Sequence, residues 1–180
     1  MLLKKLFTDF CSMSLHESFL LLGSNLGNRE SFLQEARVQI EKKAGKILKA
    51  SDLYETAAWG IETQPSFMNQ VLVIETPLSP ETLMATLLVI EAEMGRIRGE
   101  KMGPRTIDID ILFYDELVYD SVNLTIPHPL IHLRRFVLLP LSEINPLKNH
   151  PGLKKNIAEL LTECKDPLNA EKLNSLTNNR

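Results

Sequence analysis

Asp108 and Asp110 stand two residues apart in the run Thr106-Ile107-Asp108-Ile109-Asp110-Ile111-Leu112. Its alternation is that of a strand, with Ile107, Ile109 and Ile111 on one face and Thr106, Asp108 and Asp110 on the other. Residues two apart on a strand point the same way with Cα atoms roughly 6.5 Å apart, so two such carboxylates can hold or share a hard cation. Mg²⁺ is commonly bound by one or two carboxylates together with substrate phosphates. Taken alone, the pair fits equally well the solvated face of a strand. Upstream lie Arg96, Arg98, Lys101 and Arg105, four cations in ten residues against one acid, Glu100. Alone, this too is an ordinary solvated loop. Side by side, separated only by Gly103-Pro104, the two features suit a polyphosphate. Guanidinium and metal together offset the charge that develops in phosphoryl transfer. No GxxxxGK[ST] or kinase-type GxGxxG run is present, so neither a P-loop nor a protein-kinase phosphate cradle is expected.

The elements that must position these groups follow from periodicity and caps. Ser18 to Leu22 reads as a buried strand entering the Gly23-Ser24-Asn25 turn. Asn28 can cap a helix through Lys43, with Leu33, Ala36 and Ile40 on one face and Gly45 as its stop. Ile47 to Glu55 is expected as one weakly alternating strand, and Ala57 to Ser66 as a loop. Phe67 to Thr76 alternates with period 2, with Phe67, Asn69, Val71 and Val73 on one face. Ser79-Pro80-Glu81 starts a helix whose core stripe is Leu83, Leu87, Ile90 and Met94. The order β-α-β-β-α-β predicts an α+β fold, a ferredoxin-like βαββαβ sandwich with an antiparallel sheet. An extra C-terminal hairpin and short helices are expected beyond it. The turn Pro127-His128-Pro129 lies in that added part. The whole chain, 1–180, reads as one domain, with 1–16 a loose N-terminal extension and 169–180 a frayed tail.

At 180 residues, 44% hydrophobic and 24% charged, the chain can bury a core without disulfides or structural metal. Cys11 and Cys164 lack CxxC spacing, which excludes a zinc module and leaves two reduced thiols of a cytoplasmic protein as the expectation. Apolar runs such as Phe19 to Leu22 and Phe136 to Leu139 are too short to span a bilayer, so no membrane association is expected. A net charge of −3 argues against a nucleic-acid partner.

The stretch Gly103-Pro104-Arg105-Thr106-Ile107-Asp108-Ile109-Asp110-Ile111 resembles the signature of the 6-hydroxymethyl-7,8-dihydropterin pyrophosphokinase (HPPK) family of folate biosynthesis. Leu22-Gly23-Ser24-Asn25-Leu26-Gly27, Tyr54-Glu55-Thr56, Phe67-Met68-Asn69, Gly95-Arg96-Ile97-Arg98, Pro127-His128-Pro129 and Arg134-Arg135-Phe136-Val137-Leu138-Leu139 fit in the same order. The likeness covers roughly residues 19 to 145 and agrees with the fold read from periodicity. It implies attack of the pterin hydroxymethyl oxygen on the β-phosphorus of ATP, with AMP leaving. By similarity, Asp108 and Asp110 hold two Mg²⁺ ions, and Arg96 and Arg105 contact the phosphates. Glu91, Arg98, Thr125, His128 and Arg134 contribute to nucleotide binding. Asn69 reads the pterin edge, Phe136 stacks on the ring, and Phe67, Thr56, Ala57 and Trp59 complete that side. Trp59, the sole Trp, is either a lid or a packed loop anchor. His128 is otherwise a loop histidine fixed by its prolines, and Phe136 otherwise a core residue. Met102 stands where the family commonly has an aromatic residue, Ala57-Ala58 replaces a proline-containing segment, Phe67 replaces a Tyr of some members, and Asn123 an Arg of some members. The loop from Arg96 to Arg105 is expected to close over ligands. ATP and a reduced pterin are the expected partners, with a monomer as the working assembly. Two readings from other classes are a non-catalytic regulatory module of the same fold and an RRM-type RNA binder. The latter would carry exposed aromatics where Asp108 and Asp110 stand.

Overall fold

The computed structural model describes residues 14–59, 64–97 and 103–173. Its elements are β1 (His16–Ser24), α1 (Arg29–Lys43), β2 (Lys46–Ala50), β3 (Leu53–Thr56), β4 (Phe67–Thr76), α2 (Pro80–Glu93) and β5 (Asp108–Tyr114). There follow β6 (Tyr119–Asp120), β7 (Thr125–Ile126), α3 (Arg135–Ile144), β8 (Asn149–His150), β9 (Lys155–Asn156), α4 (Ile157–Glu163) and β10 (Ala170–Leu173). The main sheet runs β10-β3-β4-β1-β5, with β2 also on β4, and every pairing is antiparallel. This is the expected α+β sandwich, and β6–β7 and β8–β9 are small added hairpins.

Alternation along the strands sends apolar residues to two layers. Leu20, Leu22, Leu72, Ile74, Ile107, Ile109 and Ile111 pack under α1 and α2, meeting Leu33, Ala36, Ile40, Leu83, Leu87 and Ile90. Phe19, Leu21, Val71, Val73, Leu112 and Phe113 face α3 and α4 through Val137, Leu138, Leu141, Ile157 and Leu160. Each of the Val, Leu, Ile and Phe side chains among them contributes roughly 1.5–3 kcal/mol on burial. Both expected N-caps form: Asn28 accepts from Ser31 N at 3.1 Å and Ser79 from Thr82 N at 3.3 Å.

Four expectations need correction. The second strand is broken at Ser51-Asp52 into β2 and β3. Ser51 N donates to Val71 O at 2.9 Å and Val71 N donates to Ser51 Oγ at 3.0 Å, so a side chain replaces a backbone carbonyl in the ladder. The strand at Asp108 runs on to Tyr114 with a bulge: Leu20 faces Ile111 but Phe19 faces Phe113, leaving Leu112 as the extra residue. The expected frayed tail, 169–180, begins instead with β10, which pairs with β3 with Ala170 opposite Thr56. His16 is not loose but begins β1, its Nδ1 2.6 Å from Asp115 Oδ2. Residues 1–13 and 174–180, Cys11 among them, lie outside the described residues, and Cys164 is a buried free thiol. Among the described residues no helix is long and apolar enough to cross a membrane.

Candidate active site

The face of the sheet that carries α3 and α4 is left open where β1, β3, β4 and β5 reach one end. The opening is a cavity of about 280 Å³. Its floor depends on Gly23, which lies opposite Asn69 on one side and Asp108 on the other. A Cβ at Gly23 would stand 2.8 Å from Asn69 Oδ1, so only glycine lets the amide occupy that place. Asn69 is 3% exposed, and its Nδ2 donates to Thr56 Oγ1 at 2.8 Å.

On the β5 side, Asp108 and Asp110 both face the cavity, as their spacing predicts. Asp108 is doubly paired: Oδ1 lies 2.6 Å from Arg96 Nη1 and Oδ2 lies 2.9 Å from Arg105 Nη1. Asp110 is paired through its backbone with β1, opposite Leu21, but its carboxylate makes no hydrogen bond to a protein group among the described residues. Burial, and then the charge of Asp108, push its carboxyl up to about 7. Three guanidiniums, from Arg96, Arg105 and Arg134, line the cavity with these two carboxylates, and the Glu91 carboxylate pairs with Arg96 from beneath. Among the described residues there is no cluster of three or more His, Cys, Asp and Glu fit to enclose a metal. The donor set is therefore two carboxylates with the remaining positions open, which suits a hard cation that brings phosphate and water ligands with it.

Glu91 does not line the cavity. It is 2% exposed beneath the carboxylate pair, where its Oε1 accepts from Ile109 N at 2.7 Å and from Arg96 Nη1. Burial pushes its carboxyl upward against those two donors. In this fold its carboxylate holds Arg96, which lines the cavity, and the start of β5.

The opposite wall is aromatic. The Arg134 guanidinium lies 4.8 Å from the Trp59 ring centroid and 5.6 Å from that of Phe136. Arg105 lies 5.4 Å from that of Phe67. Thr56, Ala57, Trp59, Phe67 and Phe136 all line the cavity, so every expected pterin-side residue is gathered there. Trp59 is packed as a platform for Arg134. Among the described residues the Nε atoms of Arg105 and Arg134 are buried without a hydrogen-bond partner.

His128 and Asp110 also line a second cavity of about 300 Å³, which includes Thr125 and Asn123. Thr125 Oγ1 is held by Asp120 at 2.9 Å. His128 Nδ1 accepts from Leu130 N at 3.2 Å, so the neutral ring carries its proton on Nε2. Burial, and then Arg134, push the imidazole down to about 4, so it stays neutral at physiological pH. Arg98 and the middle of the basic loop, with the closure expected for it, lie outside the described residues.

Leu21 and Gly23 line the cavity and Asn25 braces its edge, and none of the three is singled out as a site residue from sequence. Asn25, 2% exposed, accepts from Arg105 N through Oδ1 at 2.8 Å, and its own N donates to Arg105 O at 3.2 Å. Its Nδ2 reaches Gln64 Oε1 and Pro65 O, both at 3.3 Å. It thus ties the phosphate-side arginine to the segment leading into Phe67. The turn Gly23-Ser24-Asn25 was legible, but its partner 80 residues away was not.

The family model described as 7,8-dihydro-6-hydroxymethylpterin-pyrophosphokinase matches residues 19–146. The chain is 41% identical over 145 residues to the 2-amino-4-hydroxy-6-hydroxymethyldihydropteridine pyrophosphokinase of Aquifex aeolicus, covering 81% of this chain and 90% of that protein. To the enzyme of the same name from Synechocystis it is 40% identical over 157 residues, covering 87% and 80%. It is 41% identical over 148 residues to the folic acid synthesis protein fol1 of Pneumocystis carinii, covering 82% of this chain but 20% of that longer protein. The crystal structure of Plasmodium falciparum HPPK-DHPS with pterin and p-hydroxybenzoate shares the fold at a TM-score of 0.68 and 19% identity. It covers 83% of this chain and 42% of that one.

Proposed function

The chain belongs to the 7,8-dihydro-6-hydroxymethylpterin pyrophosphokinase family, the pyrophosphokinases of folate synthesis, and we propose that its cavity performs that reaction with the residues described. The observation that carries this reading is one cavity with two ends. One end has two carboxylates among three guanidiniums; the other has a buried amide between aromatic rings. A reduced pterin is flat and rich in donors and acceptors, which matches the second end. ATP brings the phosphates that match the first.

Asn69 Oδ1 and Nδ2 pair with the ring edge, and Phe136 and Phe67 offer their faces to the ring. The Arg134 guanidinium, 5.6 Å from the Phe136 centroid and 4.8 Å from that of Trp59, supports reading these rings as a platform for flat groups. Arg96 and Arg105 hold the phosphates. Neutral His128 donates through Nε2 from the wall shared with the second cavity, which takes the nucleoside side of ATP near Thr125. Two Mg²⁺ ions bound at Asp108 and Asp110 would supply Lewis-acid polarisation of the phosphates and neutralise their charge. The pterin hydroxyl oxygen bonds to the β-phosphorus, the bridging bond to the α-phosphate breaks, the hydroxyl proton is released, and AMP departs. Electrostatic stabilisation by fixed arginines is the protein's main contribution to such a transfer.

The product of ATP is the direct test. With Mg²⁺, ATP and 6-hydroxymethyl-7,8-dihydropterin, chromatography should show AMP and the pterin diphosphate appearing together. ADP in place of AMP would mean γ-phosphoryl transfer and would defeat this reading.

Titration of Asp110 gives a pH prediction. Below about 7 the carboxyl holds a proton that Mg²⁺ must displace, so Mg²⁺–nucleotide affinity should rise as pH increases through that value. Calorimetry in buffers of different ionisation enthalpy should detect a proton released on binding. The sign for stability is opposite to that of a salt-bridged carboxylate. The fold favours the neutral form, so this contribution is present at low pH and is lost as pH rises through about 7. Affinity independent of pH between 6 and 8 (roughly the window around that shift) would remove Asp110 from the metal site.

A further inference from the structure

The family model ends at residue 146, yet the chain beyond it returns to the site. Arg135 opens α3 between two cavity residues, Arg134 and Phe136. Arg134 occupies the N-cap position of α3 and makes no side-chain cap bond. The cap comes instead from Asp166, 31 residues away and 8% exposed: its Oδ2 accepts from Arg135 N at 3.0 Å. Its Oδ1 accepts from Leu168 N at 3.1 Å, which fixes the carboxylate. The Arg135 guanidinium donates to Asp166 O at 3.1 Å and to Cys164 O at 3.2 Å. Beyond Asp166, β10 pairs with β3, with Ala170 opposite Thr56, and Lys172 Nζ lies 2.6 Å from Asp52 Oδ2. A carboxylate at a helix N-terminus satisfies free N–H groups and meets the positive end of the helix dipole. Here that contact fixes the first turn of α3, which carries Arg134 and Phe136 into the wall of the cavity that Asn69 also lines.

We propose that Asp166 is a positioning residue for the pterin pyrophosphokinase site, holding Arg134 and Phe136 in place through the first turn of α3. The inference rests on the proposed ligand role of those two residues. Its test separates the two ideas. Trp59 is the only tryptophan, and Arg134 packs on it, so intrinsic fluorescence reports the position of Arg134 without any ligand. The full-length chain would be compared with Asp166→Ala, Asp166→Asn, Phe136→Ala and, as a control, the exposed ion-pair variant Lys155→Ala. Each would be titrated with 6-hydroxymethyl-7,8-dihydropterin in the presence of Mg²⁺ and a non-hydrolysable ATP analogue, below its unfolding temperature. Asp166→Ala should shift Trp59 emission and weaken pterin binding about five- to ten-fold, the factor expected for a lost cap. Asp166→Asn keeps an acceptor and should restore binding to within about two-fold. Lys155→Ala should change neither readout. Unchanged emission in a folded Asp166→Ala protein overturns the proposal, as does unchanged binding while Phe136→Ala is impaired. If Phe136→Ala binds pterin normally, the reading of the site fails and this role for Asp166 falls with it.

Discussion

Asp110→Asn should lower AMP formation about 10³-fold or more while leaving the protein folded and, above neutral pH, more stable than the parent. The activity loss follows from removing a carboxylate that positions metal and phosphate, a contribution of several kcal/mol, and each 1.36 kcal/mol is a factor of ten. The stability gain follows from the same carboxylate's surroundings. Asp110 is buried beside Asp108 and its carboxylate has no protein hydrogen bond among the described residues, so its charge opposes folding without ligand. Asp108→Asn should be as inactive but less stable, because its two oxygens hold Arg96 and Arg105. Leaving two partly buried guanidiniums short of their partner is costly. Product assays at saturating Mg²⁺, paired with thermal unfolding at pH 6 and pH 8 (about one unit either side of neutrality), check both arms. Near-normal turnover of Asp110→Asn would remove it from the reaction. A large drop in its melting temperature at the higher pH would contradict the charge argument.

Asn69→Ala should weaken pterin binding about 10- to 100-fold and change nucleotide binding by less than about two-fold. The loss is the penalty of burying ring donors and acceptors with no partner, about 1–3 kcal/mol. Nucleotide binding is spared because Asn69 lines only the cavity away from Thr125 and Asn123. Gly23→Ala should reproduce the same selective loss without touching Asn69, because the added methyl stands 2.8 Å from Asn69 Oδ1 and forces the amide aside. Separate titrations with the reduced pterin and with the Mg²⁺–nucleotide complex distinguish the outcomes. Equal losses for both ligands in Asn69→Ala would place it outside the pterin site. Full pterin affinity in Gly23→Ala would show that the amide is not held where the glycine makes room for it.

What the sequence by itself determined was everything set by neighbours a few residues apart. Alternation placed Phe67–Thr76 at its observed bounds and put Asp108 and Asp110 on one face, because side chains on a strand repeat every two residues. Ser79-Pro80 and Asn28 announced their helices because a cap acts on the N–H groups two or three residues ahead. The motifs, read as a family resemblance, named most of the residues that line the cavity, though not Leu21 or Gly23. The tertiary structure decided what depends on chain segments meeting across the sheet. Gly23 earned its place only when β4 and β5 were laid on either side of it, with Asn69 and Asp108 opposite. Glu91, expected to contribute to nucleotide binding, lies beneath β5 because α2 packs there and its carboxylate meets the Ile109 N–H. Asn25 met Arg105, Ser51 entered the β4 ladder, and Asp166 capped α3 across 80, 20 and 31 residues respectively. Such bonds carry no local signal, because an Asn, Ser or Asp in a polar loop looks the same whether water or a distant backbone group satisfies it. The polar tail after Asn169 shows the same limit from the other side. Its strand β10 exists because β3 presents a free edge, and that edge comes into being only when the sheet is assembled.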